Sequence, residues 1–282
     1  MTWHTVGVQK KGFARGRSWP FHIALVIVAF LIAFPLLYAM LISTQTNAEI
    51  FSFQLKPGSA LKSNFEDVWV SRDFGRAMFN SFQQSILVTL GKTVTAMLAG
   101  LAFVYFKFPG KWIVFFFVLV TLMMPTEVMI LAMFQLVAGF GWQDNMAAIV
   151  VPFIASATGA FLFRQHFANM PAELLEAAQI DGASPLQYLV KVLIPLSWSV
   201  MAAFFVIQFV YTWNMFLWPS LIIREESLQV TQVALQTLTN FGGALTYGPL
   251  MLAAVLASIP PAIVFILLQK PFRSGFTLGS DK

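Results

Sequence analysis

Residues 18–48 contain no Asp, Glu, Lys or Arg, and the centre of that stretch, 21–42, is almost wholly apolar. A helix rises 1.5 Å per residue and a bilayer core is about 30 Å thick, so roughly 20 apolar residues suffice to cross it. A secretory signal has an apolar core of only about 7–15 residues and a small-residue cleavage site. This stretch is longer and lacks a clear site, so it reads as a retained helix. Five further apolar runs follow, at 78–106, 111–136, 147–167, 192–223 and 249–269. They are continuous and do not alternate in the period of two that a membrane β-barrel requires.

Composition agrees. Charged residues make up 10% of the chain, against about 25% in a soluble domain. So few cannot cover a water-exposed surface, and so apolar a chain is not a disordered one. The basic residues are too scattered for a phosphate footprint, so no nucleic-acid partner is expected. There is no Cys, which removes disulfides, thiol catalysis and Cys-based metal sites. His4, His22 and His166 stand apart, so no metal site is expected. The reading is an all-α polytopic membrane protein with six transmembrane helices.

Orientation follows from loop charge. With the N-terminus in the cytoplasm, eleven Lys/Arg fall on the cytoplasmic side and five outside, with Lys92 within a span. The positive-inside bias therefore predicts that both termini are cytoplasmic. Residues 1–19 form a cytoplasmic N-terminal segment, and 20–282 form the transmembrane domain.

The most informative segment is the cytoplasmic connection 164–191. It reads NMPAELLEAAQIDGASPLQY over 169–188. Asn169 and Pro171 suit a helix start, and Glu173 and Glu176 favour its first turns. Gly182 suits the position just past its end. Ser184 before Pro185 starts a second short helix leading into the fifth span. The small residues Ala177, Ala178, Gly182 and Ala183 let another surface come close. Glu176-Ala177-Ala178, three residues, Gly182, nine residues and then Val192-Leu193-Ile194-Pro195 resembles the EAA loop of permease subunits in binding-protein-dependent ABC importers. Val192 and Ile194 depart conservatively from the family's Ile and Leu. The layout of six helices with this loop before the fifth is similar to the maltose-G-type permeases of the carbohydrate uptake class. Stretches at 89–93, 121–128, 155–158, 161–165 and 213–219 look like those of permeases in glycerol-3-phosphate importers.

The resemblance implies a type I ABC importer permease fold in the bacterial inner membrane. It implies a second permease subunit, two ATP-binding subunits and an external solute-binding protein as partners. The chain itself is then a transport subunit and not an enzyme. It binds no cofactor, while ATP and Mg serve the partner ATPases. Glu173, Glu176, Ala177, Ala178, Asp181, Gly182 and Ala183 would form the coupling helix and its rim. The implied solute is glycerol-3-phosphate or a glycerophosphodiester, with a neutral or sulfonated sugar derivative or an oligosaccharide as the alternative. No GxxxxGK[ST] loop is present, so the chain has no nucleotide-hydrolysing unit of its own. The rival class is a self-sufficient secondary transporter; such folds carry internal repeats, and none is evident.

Two charges lie inside spans, Lys92 and Glu127. Each costs about 2.5–3.5 kcal/mol at a helix centre unless it faces protein or water. Both are expected near the midplane. They either line the pathway, with Lys92 attracting an anionic solute, or pair with each other or with the partner permease. Pro125 interrupts the third span just before Glu127. The fifth span carries Gln208, Tyr211, Trp213 and Asn214, whose rings and amides suit polyol hydroxyls or an interfacial aromatic belt. Trp218 fits the belt, as does Tyr105 at the other side. The external segment 224–248 is rich in amides and Thr, either to reach the binding protein or as a plain surface helix.

Overall fold

A computed structural model describes residues 19–240 and 246–277, without the side chains of Thr126, Glu127, Asn240 and 271–277. Every regular element among the described residues is helical. The first is α1, Trp19–Ile42. Nearly all its side chains are exposed, as expected of a helix that lies in lipid beside the bundle. It packs mainly on the last helix.

The bundle is built on α2, Phe74–Tyr105. It starts four residues earlier than expected. Lys92 therefore lies closer to the Tyr105 end, about 20 Å from it along the axis. The expected third span is not one helix. It is α3, Lys111–Leu122, and α4, Thr126–Gly139. Pro125 takes an extended backbone between them (φ −63°, ψ 134°), because it has no N–H to continue the helical ladder. The fourth span runs over Met146–Ala168. It has a tight turn at 151–153 before its main helix α5, Ala157–Ala168.

The loop helix α6, Ala172–Ile180, follows. The chain from Pro185 to Leu196 is helical but meets α7, Trp198–Trp213, at 82°. The expected fifth span, from about Val192, is thus sharply bent between Leu196 and Trp198. It continues past a break at Asn214 into α8, Leu217–Ile222. Then come α9, Thr231–Asn240, and α10, Tyr247–Thr277. Among the described residues, four segments are long and apolar enough to cross a membrane without a sharp break: Trp19–Ile42, Phe74–Tyr105, Met146–Ala168 and Tyr247–Lys270. The other two expected spans are interrupted helices.

α2 packs chiefly against α5 and α7. Small residues make the α2–α5 approach close. A Cβ on Gly159 would fall 2.6 Å from the Ala96 side chain, and one on Gly100 would fall 2.9 Å from Phe163. Without a hydrophobic drive between helices in lipid, such close backbone approach supplies the packing energy. Thr95 adds a hydrogen bond from its Oγ1 to Ile154 O at 2.7 Å.

The long connection 43–73 is ordered by side-chain amides. Gln45 Nε2 donates to Gln54 O and Lys56 O, and Asn64 Nδ2 donates to Ser43 O and Gln45 O. Tyr247 N donates to Asn47 Oδ1, which ties this cap to α10. The segment 224–240 is also anchored. Asn80 Nδ2 donates to Ser227 O and Gln229 O, and Thr231 N donates to Ser81 Oγ. Gly242 and Gly243 lie outside the described residues.

Candidate functional site

α2 presents a polar stripe to the bundle interior. Asn80, Ser81, Gln84, Ser85, Thr89, Lys92 and Thr93 are all buried. In lipid an unsatisfied polar group costs several kcal/mol, so each partner matters. Asn80 and Ser81 are met by the 227–231 segment. Gln84 Nε2 donates to Ile149 O at 3.3 Å, and Thr93 Oγ1 donates back to Thr89 O. Lys92 Nζ donates to Gln208 Oε1 of α7 at 2.8 Å and lies 4.9 Å from the Tyr211 ring centre. Among the described residues, three buried hydroxyls on these two helices, those of Ser85, Thr89 and Thr212, have no hydrogen-bond partner. Thr89 and Ser85 sit one and two turns from Lys92, and Thr212 sits one turn from Gln208. An ammonium with donor capacity to spare and three unmatched hydroxyls therefore run along one α2–α7 seam. Such a seam can exchange hydrogen bonds with a polar, anionic guest.

The structure separates the other expected pathway residues. Tyr211 and Asn214 line a cavity of about 350 Å³, with Ile130, Phe153, Val210 and Met215. Asn214 caps α7 by donating from Nδ2 to Val210 O, and it accepts from Gln232 Nε2. Trp213 does not join them. It is buried, and its indole N–H donates to Ala257 O of α10 at 3.1 Å. It braces two helices. Trp218 is likewise no belt residue, since its buried indole donates to Ala148 O at 2.9 Å. The Glu127 side chain lies outside the described residues, and with it both alternatives read for it, lining the pathway or pairing with Lys92 or the partner permease. Among the described residues, no His, Cys, Asp or Glu cluster is placed to hold a metal.

The loop helix is built largely as its residues predict. Glu173 occupies the first turn. Gly182 has φ +71° just past the end. Gly182 N donates to Gln179 O and Ala183 N to Ala178 O, the double closure of a Schellman ending. Asn169 differs from expectation. Its Nδ2 donates to Gln165 O, so it closes α5 instead of opening α6, whose N-cap position is Pro171. The small residues also divide. Ala178 is buried, in one apolar cluster with Phe163, Phe167, Tyr188, Leu193 and Phe204. Ala183 packs half-buried against it. The outward face holds Glu173, Glu176, Ala177 and Asp181.

Ile180 has no reading in the sequence, and Tyr105 differs from its expected one. Ile180 is 86% exposed at the tip of α6. An apolar residue at the end of a loop helix reads from spacing alone as core, and only the fold shows it turned outward. Tyr105 is no belt residue. Its hydroxyl donates to Phe167 O at 3.3 Å and lies 3.5 Å from the Tyr188 hydroxyl, with the rings edge to face. It links the end of α2 to α5 and to the chain just after α6.

Residues 92–276 match the family described as binding-protein-dependent transport system inner membrane component. The chain is 36% identical, over 93% of its length and 96% of the relative's, to the sn-glycerol-3-phosphate transport system permease protein UgpE of Pectobacterium atrosepticum. It is 38% identical to the protein of that name from Yersinia enterocolitica, over the same shares. Its fold is similar to a chain in the crystal structure of a bacterial ABC transporter involved in the import of the acidic polysaccharide alginate. The TM-score is 0.79 at 22% identity, covering 89% of this chain and 94% of that one. A second structure of an alginate ABC transporter, in complex with an alginate pentasaccharide-bound periplasmic protein, gives 0.64 at 16% identity. This chain therefore belongs to the inner-membrane-component family of binding-protein-dependent transport systems, as a multi-pass permease subunit of an ABC importer.

Proposed function

We propose that this permease passes a small polyol phosphate of the sn-glycerol-3-phosphate class, delivered by an external binding protein, along the seam between α2 and α7. The observation that carries the reading is the buried Lys92 ammonium, held by Gln208 and backed by the Tyr211 ring. The relatives' names point to the same solute class. Lys92 attracts the phosphate charge in a low dielectric, where attraction is strong. Gln208, Asn214 and the hydroxyls of Ser85, Thr89 and Thr212 exchange hydrogen bonds with the polyol. A neutral or sulfonated sugar derivative is the second reading, favoured by the ring-and-amide lining of Tyr211 and Asn214.

In the same proposal α6 seats in a groove of one of two ATP-binding subunits, through Glu173, Glu176, Ala177, Ile180 and Asp181. ATP and Mg stay with those subunits. A second permease completes the pathway, and the end bearing Lys107, Lys111 and Arg164 faces the cytoplasm. The test is uptake of labelled sn-glycerol-3-phosphate into proteoliposomes holding the full complex and its binding protein. ATP-dependent uptake supports the reading. Uptake of a neutral sugar in its place overturns the solute.

A further inference from the structure

Between α2 and α3 the chain turns through Gly110, whose φ is +72°. The turn frames an open hollow of about 340 Å³ lined by Lys107, Phe108, Gly110, Lys111, Trp112 and Ile113. Arg164 of α5 reaches the same place. Its guanidinium lies 5.1 Å from the Trp112 ring centre and 4.8 Å from that of Phe115. Lys111 Nζ donates to Phe106 O at 3.0 Å, which holds it at the rim with donor capacity left. Three cations thus share one small area. No carboxylate answers them: among the described residues the ion pairs are Lys62–Glu66, Arg72–Asp67 and Arg76–Asp73, all elsewhere.

The surface beside the cavity narrows the ligand. Ile113, Phe116 and Phe117 stand exposed on α3. α3 reads KWIVFFFVLVTL, with no Gly, Ala or Ser. Helix contacts within a membrane favour small residues, so this bulky face is a poor surface for a partner helix and a good one for acyl chains. Trp112, mostly exposed, marks the water–lipid boundary where Trp concentrates. A cationic hollow directly above a lipid-facing apolar face fits an amphiphile with an anionic head. Basic pockets between helices at a membrane surface hold such headgroups.

We infer that Lys107, Lys111 and Arg164 form a binding site for the headgroup of an anionic phospholipid, whose acyl chains lie along α3. The full complex, exchanged into nanodiscs of phosphatidylglycerol and phosphatidylcholine, is read by native mass spectrometry for retained lipid. Selective retention of phosphatidylglycerol is expected. Lys107→Gln, Lys111→Gln and Arg164→Gln each weaken it about fivefold, the effect of one basic group near a lipid surface. Lys107→Arg with Lys111→Arg keeps it, which separates lost charge from lost folding. The chain has no Cys, so Ile113→Cys gives a single labelling point. A photoactivatable acyl chain on phosphatidylglycerol should crosslink there. Unchanged retention in the triple Gln variant, displacement of the lipid by millimolar inorganic phosphate, or crosslinking of Ile113→Cys to the partner permease would each overturn the assignment.

Discussion

Lys92 and Gln208 join the two helices that form the polar seam, with Nζ 2.8 Å from Oε1. Lys92 is 7% exposed and Gln208 8%. A hydrogen bond to a charged group contributes about 1.5–3 kcal/mol, and removing one partner strands the other. Lys92→Met should therefore lower uptake about tenfold or more. The double variant Lys92→Met with Gln208→Leu separates the roles. If the pair only braces the bundle, replacing both members by apolar groups of similar size restores uptake. If Lys92 attracts the solute, uptake stays low in the double variant although the complex assembles and melts normally.

Gly182 carries the ending of the loop helix. A Cβ there meets nothing within 4 Å, but the backbone sits at φ +71°. The cost of a side chain is thus conformational and not steric, about 1–2 kcal/mol. Gly182→Val should be worse than Gly182→Ala, and Gly182→Asn mildest, since Asn tolerates this region. Thermal unfolding of the complex should follow that order. The ATP hydrolysed per solute imported should rise in the same order, because the ending orients Asp181 on the outward face. An unchanged ratio in all three would remove the loop ending from coupling.

How far these features were legible differs from residue to residue. The apolar runs, the loop helix and Gly182 follow local rules of length, capping and φ, which a single stretch of chain reveals. The interrupted third span was half legible. Pro125 signals a break, but the apolar content on both sides reads as one run. Trp213, Trp218 and Tyr105 were misread because an aromatic ring with a polar tip fits both a membrane interface and a buried bond to a distant carbonyl. Ala257, Ala148 and Phe167, which supply those carbonyls, lie 44, 70 and 62 residues away. Burial of Ala178 and exposure of Ile180 depend likewise on the tertiary placement of α6 beside Tyr188 and Phe163.

Asp144 links the loop after α4 to the segment after α8. Its Oδ1 accepts from the backbone N–H groups of Arg224 and Glu225, with φ +53° at Asp144 itself. These two donors hold its carboxyl below the usual carboxylate value. A lowered native pKa means that the contribution is complete above the ordinary Asp value and is lost as pH falls through the native one. The protection factors of the Arg224 and Glu225 amides, exchange relative to the intrinsic rate at each pH, should hold near neutrality and fall only in acid. Asp144→Asn should abolish that acid-dependent step. An acid-dependent step of equal size in the variant would assign it to another group.

Gly159 sets the distance between α2 and α5. A Cβ there would lie 2.6 Å from Ala96 Cβ and 2.6 Å from Phe204 Cζ. Ala96 belongs to α2 and is buried, so only Phe204 has freedom to give way. Overpacking of this kind costs about 1–3 kcal/mol. Gly159→Ala should lower the melting temperature, and the added variant Phe204→Leu should recover part of the loss by opening space. No recovery would mean that the Ala96 contact alone sets the spacing.

Tyr105 ties three elements at one point, since its hydroxyl reaches Phe167 O and Tyr188 while its ring packs edge to face on Tyr188. Tyr188 is buried in the cluster that also holds Ala178 of α6 and Met97 and Leu101 of α2. A continuous set of packed side chains therefore joins the loop helix to α2, the helix that carries Lys92. Tyr105→Phe keeps the ring contact and deletes the hydroxyl, leaving Phe167 O without that donor. The expected stability loss is about 1 kcal/mol, the net worth of one neutral hydrogen bond. A role in coupling predicts more than that: ATP hydrolysis continues while solute uptake falls, so the ratio of ATP spent to solute moved rises. Tyr188→Phe leaves the Tyr105–Phe167 bond in place and should change the ratio less. Equal small losses of both activities in Tyr105→Phe would reduce Tyr105 to a packing residue.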